Sequence, residues 1–171
     1  LYIYDTENQG EWHPGAASCW WLHHSLKALQ TEFHKKNAEL VLRQGDPAKI
    51  IDDIIAKSGA DMIVWNRQYE PWAVQRDKDL KAGLDIEARS FKANLLFEPW
   101  EVKTKTTDSY YKVYTPFMKA CRERAEMIRP PYDVPSLTFA NNMPASDKLE
   151  DFGLLPNLDW DEEFYDHWQP G

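Results

Sequence analysis

The sequence has few cysteines, no glycine-rich phosphate loop and no long apolar run. Cys19 and Cys121 are the only cysteines in 171 residues, and no CxxC pair occurs, so neither a disulfide scaffold nor a cysteine-bound zinc site is predicted. The patterns GxGxxG, GxxxxGK[ST] and GxSxG do not occur, which leaves the common nucleotide fingerprints and α/β-hydrolase chemistry without support. Without a run of about 18 apolar residues or a signal peptide, we expect a reduced, cytoplasmic protein with no membrane partner.

The chain has no basic excess: it has 28 acidic and 20 basic residues, and the acidic excess is unevenly distributed. The net charge is -8, which does not support non-specific binding of nucleic acid through a positive field. From Arg129 onward there are nine acidic and two basic residues, or -7, so residues 1–128 carry only -1. The same segment holds six of the eleven prolines. We therefore expect a body over 1–128 and an acidic, proline-rich linker over 129–171 that lies on a surface.

Strand-like and helix-like segments alternate through the body. Strands are predicted at 1–4, 40–43, 62–65 and within 88–97, where Phe91, Leu95 and Leu96 are core candidates. Helices are predicted at 15–36, 71–84 and 115–127, and a further helix starts at the Asp46-Pro47 cap and ends at Gly59. A polar loop is expected from Asp5 to Pro14. This alternation is typical of an α/β fold with a parallel sheet covered by helices on both faces.

The segment WNRQYEPWAVQRD at residues 65–77 is the strongest candidate for a binding site. A buried strand opens there into a polar, aromatic loop, and Pro71 restarts the chain as a helix. Ligands of open α/β sheets bind where strands end and helices begin, and these side chains would suit a flat, polar, aromatic ligand. The alternative is an ordinary solvated loop before a helix.

Other chemical motifs favour structural roles. His23 and His24 are adjacent and would diverge by about 100° on a helix, which does not suit a shared metal. The acidic cluster from Asp159 to Asp166 lacks the spacing of a calcium loop and indicates a solvated face. Trp20 and Trp21 are expected to pack in the core rather than hold a cofactor. No nucleophile, base and orienting group can be assembled.

Three segments together resemble one known family. The run GAASCWWLHHSL from Gly15 to Leu26 is similar to the helix after the second strand of DNA photolyases and cryptochromes. Asn66 to Pro71, followed by Arg76-Asp77, resembles the loop after their fourth strand. The run YKVYTPF from Tyr111 to Phe117 resembles the family motif Y-x-V-[FY]-T-P-F, and the order and spacing of the three segments agree. Within the family the resemblance is greatest to bacterial cyclobutane pyrimidine dimer photolyases.

The resemblance implies a two-domain parent enzyme, a deoxyribodipyrimidine photolyase that uses FAD and light to split pyrimidine dimers in UV-damaged DNA. It implies that 1–128 is the N-terminal antenna domain, that 129–171 is the interdomain linker, and that the helical FAD domain is not in this chain. The implied fold is a Rossmann-like five-stranded parallel sheet of order 3-2-1-4-5, with the family's first strand missing here. We therefore expect a fragment that is inactive alone, and a monomer.

The resemblance also implies an antenna chromophore, which could be methenyltetrahydrofolate, a deazaflavin, FMN or none. Where folate-binding relatives have Asn-Glu, this chain has Trp72-Ala73, and Cys19 stands where many members have Arg. The candidate residues for the pocket wall are Asp5, Cys19, Asn66, Arg67, Tyr69, Glu70, Trp72 and Arg76.

Two other functions remain open from the sequence. One is a cryptochrome-type blue-light photoreceptor that signals to a protein and repairs nothing. The other is a nucleotide-binding module unrelated to light, although that would leave the Tyr111 to Phe117 motif unexplained.

Overall fold

A computed structural model describes residues 1–7, 13–105, 107–133, 135–140 and 143–171. The loop predicted from Asp5 to Pro14 therefore falls partly outside the described residues. The strands are β1 (Tyr2–Tyr4), β2 (Leu42–Gln44), β3 (Met62–Asn66) and β4 (Glu87–Phe91). The α-helices are α1 (Ala16–Lys35), α2 (Pro47–Ser58), α3 (Pro71–Gly83), α4 (Tyr114–Glu123) and α5 (Phe164–His167), and short 3-10 helices lie at Ala125–Met127 and Leu149–Phe152.

Helix α2 begins and ends where its local sequence requires. The Asp46 carboxylate accepts a hydrogen bond from the Ala48 N–H at 3.0 Å, and Pro47 occupies the first turn, where an N–H would have no helical partner. At the other end Gly59 adopts φ 69°, a left-handed conformation that costs glycine little, and its N–H bonds to the Ile55 carbonyl at 2.9 Å. The predicted bounds of this helix are confirmed.

The strands form two separate parallel pairs in the described part of the chain. Strand β1 pairs with β2, with Tyr2 opposite Leu42, and β3 pairs with β4, with Met62 opposite Glu87. The parallel α/β arrangement is thus confirmed. The continuous five-stranded sheet is not what the described residues form, because none of their strands hydrogen-bonds to both β1 and β3 and the ladder is interrupted there.

Residues near the C-terminus complete the core beside β2. Leu149, Phe152 and Leu154 are buried with Leu26, Leu40 and Leu42 in one hydrophobic cluster. The Phe152 ring stacks on Tyr4 with centroids 5.7 Å apart. This part of 129–171 therefore packs as an internal part of the fold.

The same segment covers the outer edge of β2. The Leu42 N–H donates to Ser146 Oγ at 2.9 Å, and the Leu42 carbonyl accepts from the Asp147 N–H at 2.8 Å. The Gln44 N–H donates to Asp147 Oδ2 at 3.0 Å. These bonds occupy the outward N–H and carbonyl groups of Leu42 and the outward N–H of Gln44. The edge of β2 therefore cannot pair with a further strand, and such pairing is how open edges lead to aggregation.

An aromatic cluster joins α5 to α1. Trp20 is 1 % exposed and makes edge-to-face contacts with Phe164 and Tyr165, with centroids 5.2 and 5.3 Å away. The His24 ring contacts both Trp20 and Tyr165, and its Nε2 is 3.3 Å from the Tyr165 hydroxyl. The prediction of core packing is confirmed for Trp20 and wrong for Trp21, which is 42 % exposed.

One face of the β3–β4 pair is uncovered. Met62, Val64 and Phe91 share this face and are 41 %, 56 % and 51 % exposed. The core positions predicted for Phe91, Leu95 and Leu96 are wrong. Phe91 lies on this uncovered face, and Leu95 and Leu96 follow the end of β4 in an irregular, exposed stretch.

Candidate functional site

A groove lies between α2 and α3. It begins near the first turns of both helices, at the carboxyl ends of the strands, and extends along α3 to Gly83 and Leu84. Its volume is about 700 Å³, which is within the range of small-molecule sites. Both helices begin at a proline that follows a strand and a short loop, and this connection brings their first turns to the same edge of the fold. The groove is lined by Glu7, Asp46, Ala48, Asp52, Trp72, Gln75, Arg76, Asp79, Leu80, Gly83 and Leu84.

The charge of this groove is strongly acidic. Its lining includes four carboxylates and one guanidinium. Asp46 caps α2 and pairs with Lys49 at 3.4 Å, and Asp79 accepts a hydrogen bond from Gln75 Nε2 at 2.9 Å. Such a lining attracts a positively charged or hydrogen-donating ligand and repels a phosphate.

The guanidinium in the groove belongs to Arg76, and acidic neighbours hold it. Its Nε and Nη2 donate to Asp77 Oδ1 at 3.2 and 2.8 Å, and Nη1 lies 3.6 Å from Asp5 Oδ2. Nη2 also donates to Gln68 Oε1 at 3.0 Å. The cationic carbon lies 5.3 Å from the centre of the Trp72 ring, within cation–π range.

A second cavity of about 330 Å³ lies between β1 and β3. Ile3 borders it from β1, and Val64 and Asn66 border it from β3. Arg76 and Leu80 line both cavities, so they form part of the wall between the groove and this inter-strand cavity.

Arg67 and Tyr69 lie away from the groove, around a buried carboxylate. Glu98 is 6 % exposed, pairs with the Arg67 guanidinium, and accepts a hydrogen bond from the Tyr69 hydroxyl at 2.6 Å. Burial and the bonded Glu98 carboxylate raise the pKa of Tyr69. Arg67 also donates to the Ser90 carbonyl at 2.9 Å and lies over Trp100, 5.4 Å from the ring centre. These contacts tie the loop after β3 to β4 and to the following segment.

The predicted pocket residues therefore separate into several places. Trp72 and Arg76 line the groove, and Asp5 and Asn66 line the inter-strand cavity. Glu70 is exposed and accepts a hydrogen bond from the Tyr69 N–H at 3.2 Å. Cys19 is half-buried against the hydrophobic core.

Sequence reasoning missed most of the acidic wall. Asp52 and Asp79 lie on separate helices, and Asp46 was interpreted only as a cap. The sequence does contain a signal for this wall. Asp46 lies at the start of α2, Asp52 lies one turn inside it, and Asp79 lies two turns inside α3. Only the packing of the helices shows that they share a groove.

Among the residues that the structure describes, no group of histidine, cysteine and carboxylate side chains is arranged to hold a metal ion. No helix in the same ranges is long and apolar enough to cross a membrane.

Comparison with known proteins decides the family. The family model described as DNA photolyase matches residues 1–136. The chain belongs to the DNA photolyase family. It is 43 % identical over 161 residues to a deoxyribodipyrimidine photo-lyase from Agrobacterium fabrum, covering 92 % of this chain and 33 % of that protein. It is 33 % identical over 125 residues to cryptochrome-1 of Arabidopsis thaliana, covering 71 % of this chain and 18 % of the relative.

A solved structure extends the similarity to three dimensions. The crystal structure of a bacterial class III photolyase from Agrobacterium tumefaciens matches with a TM-score of 0.89 and 42 % identity, covering 99 % of this chain and 35 % of that one. The chain thus spans about a third of the photolyases that it matches and corresponds to a photolyase N-terminal domain. The resemblance found in the sequence motifs is confirmed.

Proposed function

We propose that this chain is the antenna-binding domain of a light-dependent DNA repair enzyme, with the antenna in the groove between α2 and α3. The observation that supports it most is the half-buried Trp72 ring in an acidic groove at the strand ends. In the proposed parent, FAD and the contacts to a pyrimidine dimer belong to a domain outside this chain. The body over 1–128 would then hold the antenna, which supplies excitation energy, and the linker over 129–171 would connect it to the FAD domain. Neither part would cleave a bond, so this chain alone is inactive in repair.

The groove chemistry favours a folate over FMN. The methenyl bridge of methenyltetrahydrofolate is cationic, and its pterin edge presents amino and N–H donors to carboxylate acceptors. Its glutamate carboxylates would extend out of the acidic groove into solvent. FMN carries a phosphate dianion, which four lining carboxylates would repel. The N-terminus of α2 offers no alternative phosphate site, because Asp46 already occupies it as a cap. Trp72 would stack on the pterin, and Asp52 and Asp79 would face its positive charge; when bound, the folate would absorb light for the parent enzyme.

The test is a spectroscopic titration of the protein with 5,10-methenyltetrahydrofolate and, separately, with FMN. We expect the folate to bind at least about tenfold more tightly than FMN, because the groove repels the phosphate. Trp72→Ala should weaken folate binding by about tenfold through loss of the stacking face. Asp52→Asn should weaken it by about threefold.

Asp61→Asn is the matched control, since Asp61 is exposed before the amino end of β3 and outside the groove lining. An unchanged folate affinity in Trp72→Ala would remove the antenna assignment of this groove, and tighter binding of FMN than of the folate would overturn the choice of folate.

The proposed domain contains a central strand between β1 and β3, which would restore the five-stranded order 3-2-1-4-5. Two observations support it. The Tyr2 N–H donates to the Val41 carbonyl at 2.8 Å, so alternation along the strand directs the backbone groups of Ile3 away from β2. In the same way, the Arg67 N–H donates to the Phe91 carbonyl at 2.9 Å, which directs the groups of Val64 away from β4. The 330 Å³ cavity lies between these two edges.

Hydrogen exchange tests this strand. The Ile3 and Val64 amides should exchange at least about tenfold more slowly in a longer protein that carries the central strand than in this chain alone. The Tyr2 amide is the internal control, because it is already bonded across β1 and β2. Equal exchange of Ile3 and Val64 in both proteins would contradict the proposal.

A blue-light photoreceptor is the second candidate, because cryptochrome-1 of Arabidopsis thaliana is also similar to this chain. The longer protein that contains this chain should distinguish the two in an assay of light-driven repair of a pyrimidine dimer in DNA. Light-driven repair by the monomeric protein would favour the photolyase. Stable binding of the pyrimidine dimer without its repair would favour the photoreceptor.

A further inference from the structure

Arg76 lies directly over the aromatic wall of the groove. It follows Trp72 by one helical turn on α3, and residues four apart share a helix face. The guanidinium carbon is 5.3 Å from the centre of the Trp72 ring. One face of the indole is therefore covered by a cation, and Trp72 also lines the groove.

The guanidinium is held by groups from three separate parts of the fold. Asp5 follows β1, Gln68 follows β3, and Asp77 is the next residue on α3. Asp77 is itself buried, and its other oxygen accepts a hydrogen bond from the Trp65 indole N–H at 2.8 Å. A planar guanidinium with its donors directed at fixed acceptors has little freedom to move.

These contacts also limit what Arg76 can offer a ligand. Nε and Nη2 are bonded to Asp77 and Gln68, and Nη1 faces the Asp5 carboxylate. Its charge is balanced by two carboxylates that are each 8 % exposed. An anionic ligand would have to displace one of these partners and leave a buried charge unpaired, which is strongly unfavourable.

We infer that Arg76 is a positioning residue, which fixes the Trp72 indole as a stacking wall for the antenna and does not bind the antenna itself. The inference rests on the function proposed above and deepens it. A half-buried indole that lines an open groove can rotate about two side-chain bonds. A cation fixed over one face restricts that rotation and leaves the other face available to the ligand.

A double-mutant cycle on the full-length protein tests this role, with 5,10-methenyltetrahydrofolate as the probe. Trp72→Ala should weaken binding by about tenfold, and Arg76→Gln should weaken it by about threefold to tenfold. If Arg76 acts through Trp72, adding Arg76→Gln to Trp72→Ala should change affinity by less than about twofold. The absorption maximum of the bound probe should shift in the same direction in both single variants, because each loses the ordered stack.

Arg76→Lys keeps a cation near the ring but loses the planar fork that reaches Asp5 and Gln68. We expect it to recover part of the affinity lost in Arg76→Gln. It also keeps the experiment decisive if Arg76→Gln fails to fold, because the same cycle can be made with lysine. Arg89→Gln is the matched control, since Arg89 is an exposed arginine paired with Glu87 and lies outside the groove lining.

The outcomes separate the two proposals. If the unaltered protein does not bind the folate, or if Trp72→Ala leaves binding unchanged, the proposed function of the groove is refuted. If Trp72→Ala weakens binding but Arg76→Gln costs the same affinity with and without Trp72, only the positioning role is refuted. In that case Arg76 would contribute independently of the indole.

Discussion

The packing of Phe152 makes a strong prediction about the segment after residue 128. Phe152 is 6 % exposed and stacks on Tyr4 within the cluster that contains Leu26 and Leu42. Phe152→Ala should therefore leave a cavity in the core beside β2. Replacing a buried phenylalanine by alanine costs about 3–5 kcal/mol of unfolding free energy.

Because one kcal/mol lowers the melting temperature of a domain of this size by about 2–4 °C, we expect a drop of about 6–20 °C. The assay is thermal unfolding followed by circular dichroism, with urea unfolding to obtain the free energy directly. Leu158→Ala is the matched control, since Leu158 lies in the same segment but is 73 % exposed; its effect should stay within about 0.5 kcal/mol.

A loss below about 1 kcal/mol for Phe152→Ala would refute the reasoning. It would mean that the segment from Leu149 to Leu154 lies on the surface as a removable linker. A loss of the expected size would mean that the folded domain extends well past residue 128.

Three further predictions follow from local features. Gly59→Ala should cost about 1 kcal/mol in urea unfolding, because alanine is strained at φ 69°. Glu98→Gln should cost about 1–3 kcal/mol in the same assay, since it leaves the Arg67 guanidinium without its buried counter-charge. Burial lowers the pKa of both His23 and His24 in the fold, so the unfolded chain binds protons more readily. The stability that these neutral rings contribute is present above about pH 6.5 and is lost as pH falls through their folded pKa values, which thermal unfolding between about pH 7.5 and 5 should show.

Each of these predictions has an internal comparison. Gly83 lies at the end of α3, has no positive φ, and has no atom within 4 Å of an added methyl group. In contrast to Gly59→Ala, Gly83→Ala should therefore stabilise the fold by about 0.5–1 kcal/mol. Glu87→Gln removes an exposed pair with Arg89 and should cost less than about 1 kcal/mol. Replacing both His23 and His24 by Gln should reduce the loss of thermal stability between about pH 7.5 and 5. If the loss is unchanged, carboxylates and not these histidines cause it.

Local chemistry made several parts of the fold predictable. The Asp46-Pro47 start and the Gly59 end of α2 follow from hydrogen bonds made within a few residues, so sequence neighbours decide them. Pro71 marks the start of α3 for the same reason. The core candidates after β4 were wrong because hydrophobicity alone does not show where a strand ends. Leu96 is apolar but lies exposed in an irregular stretch after β4.

The site was only partly predictable. Trp72 and Arg76 were found because one short segment follows a strand and opens a helix. The same logic also selected Arg67 and Tyr69, which the fold uses to bind the buried Glu98. Alternation of side chains and the positions of neighbouring segments decide which residues of such a loop face a groove.

By itself, the sequence determined the family, the parallel α/β class and the ends of the capped helices, because motif order, hydrophobic spacing and caps are local properties. Only the tertiary structure decided that Asp46 and Asp79 share one groove and that Phe152 completes the core beside Tyr4. These contacts join residues far apart in the chain. They depend on how helices and strands pack, and no local pattern encodes that packing.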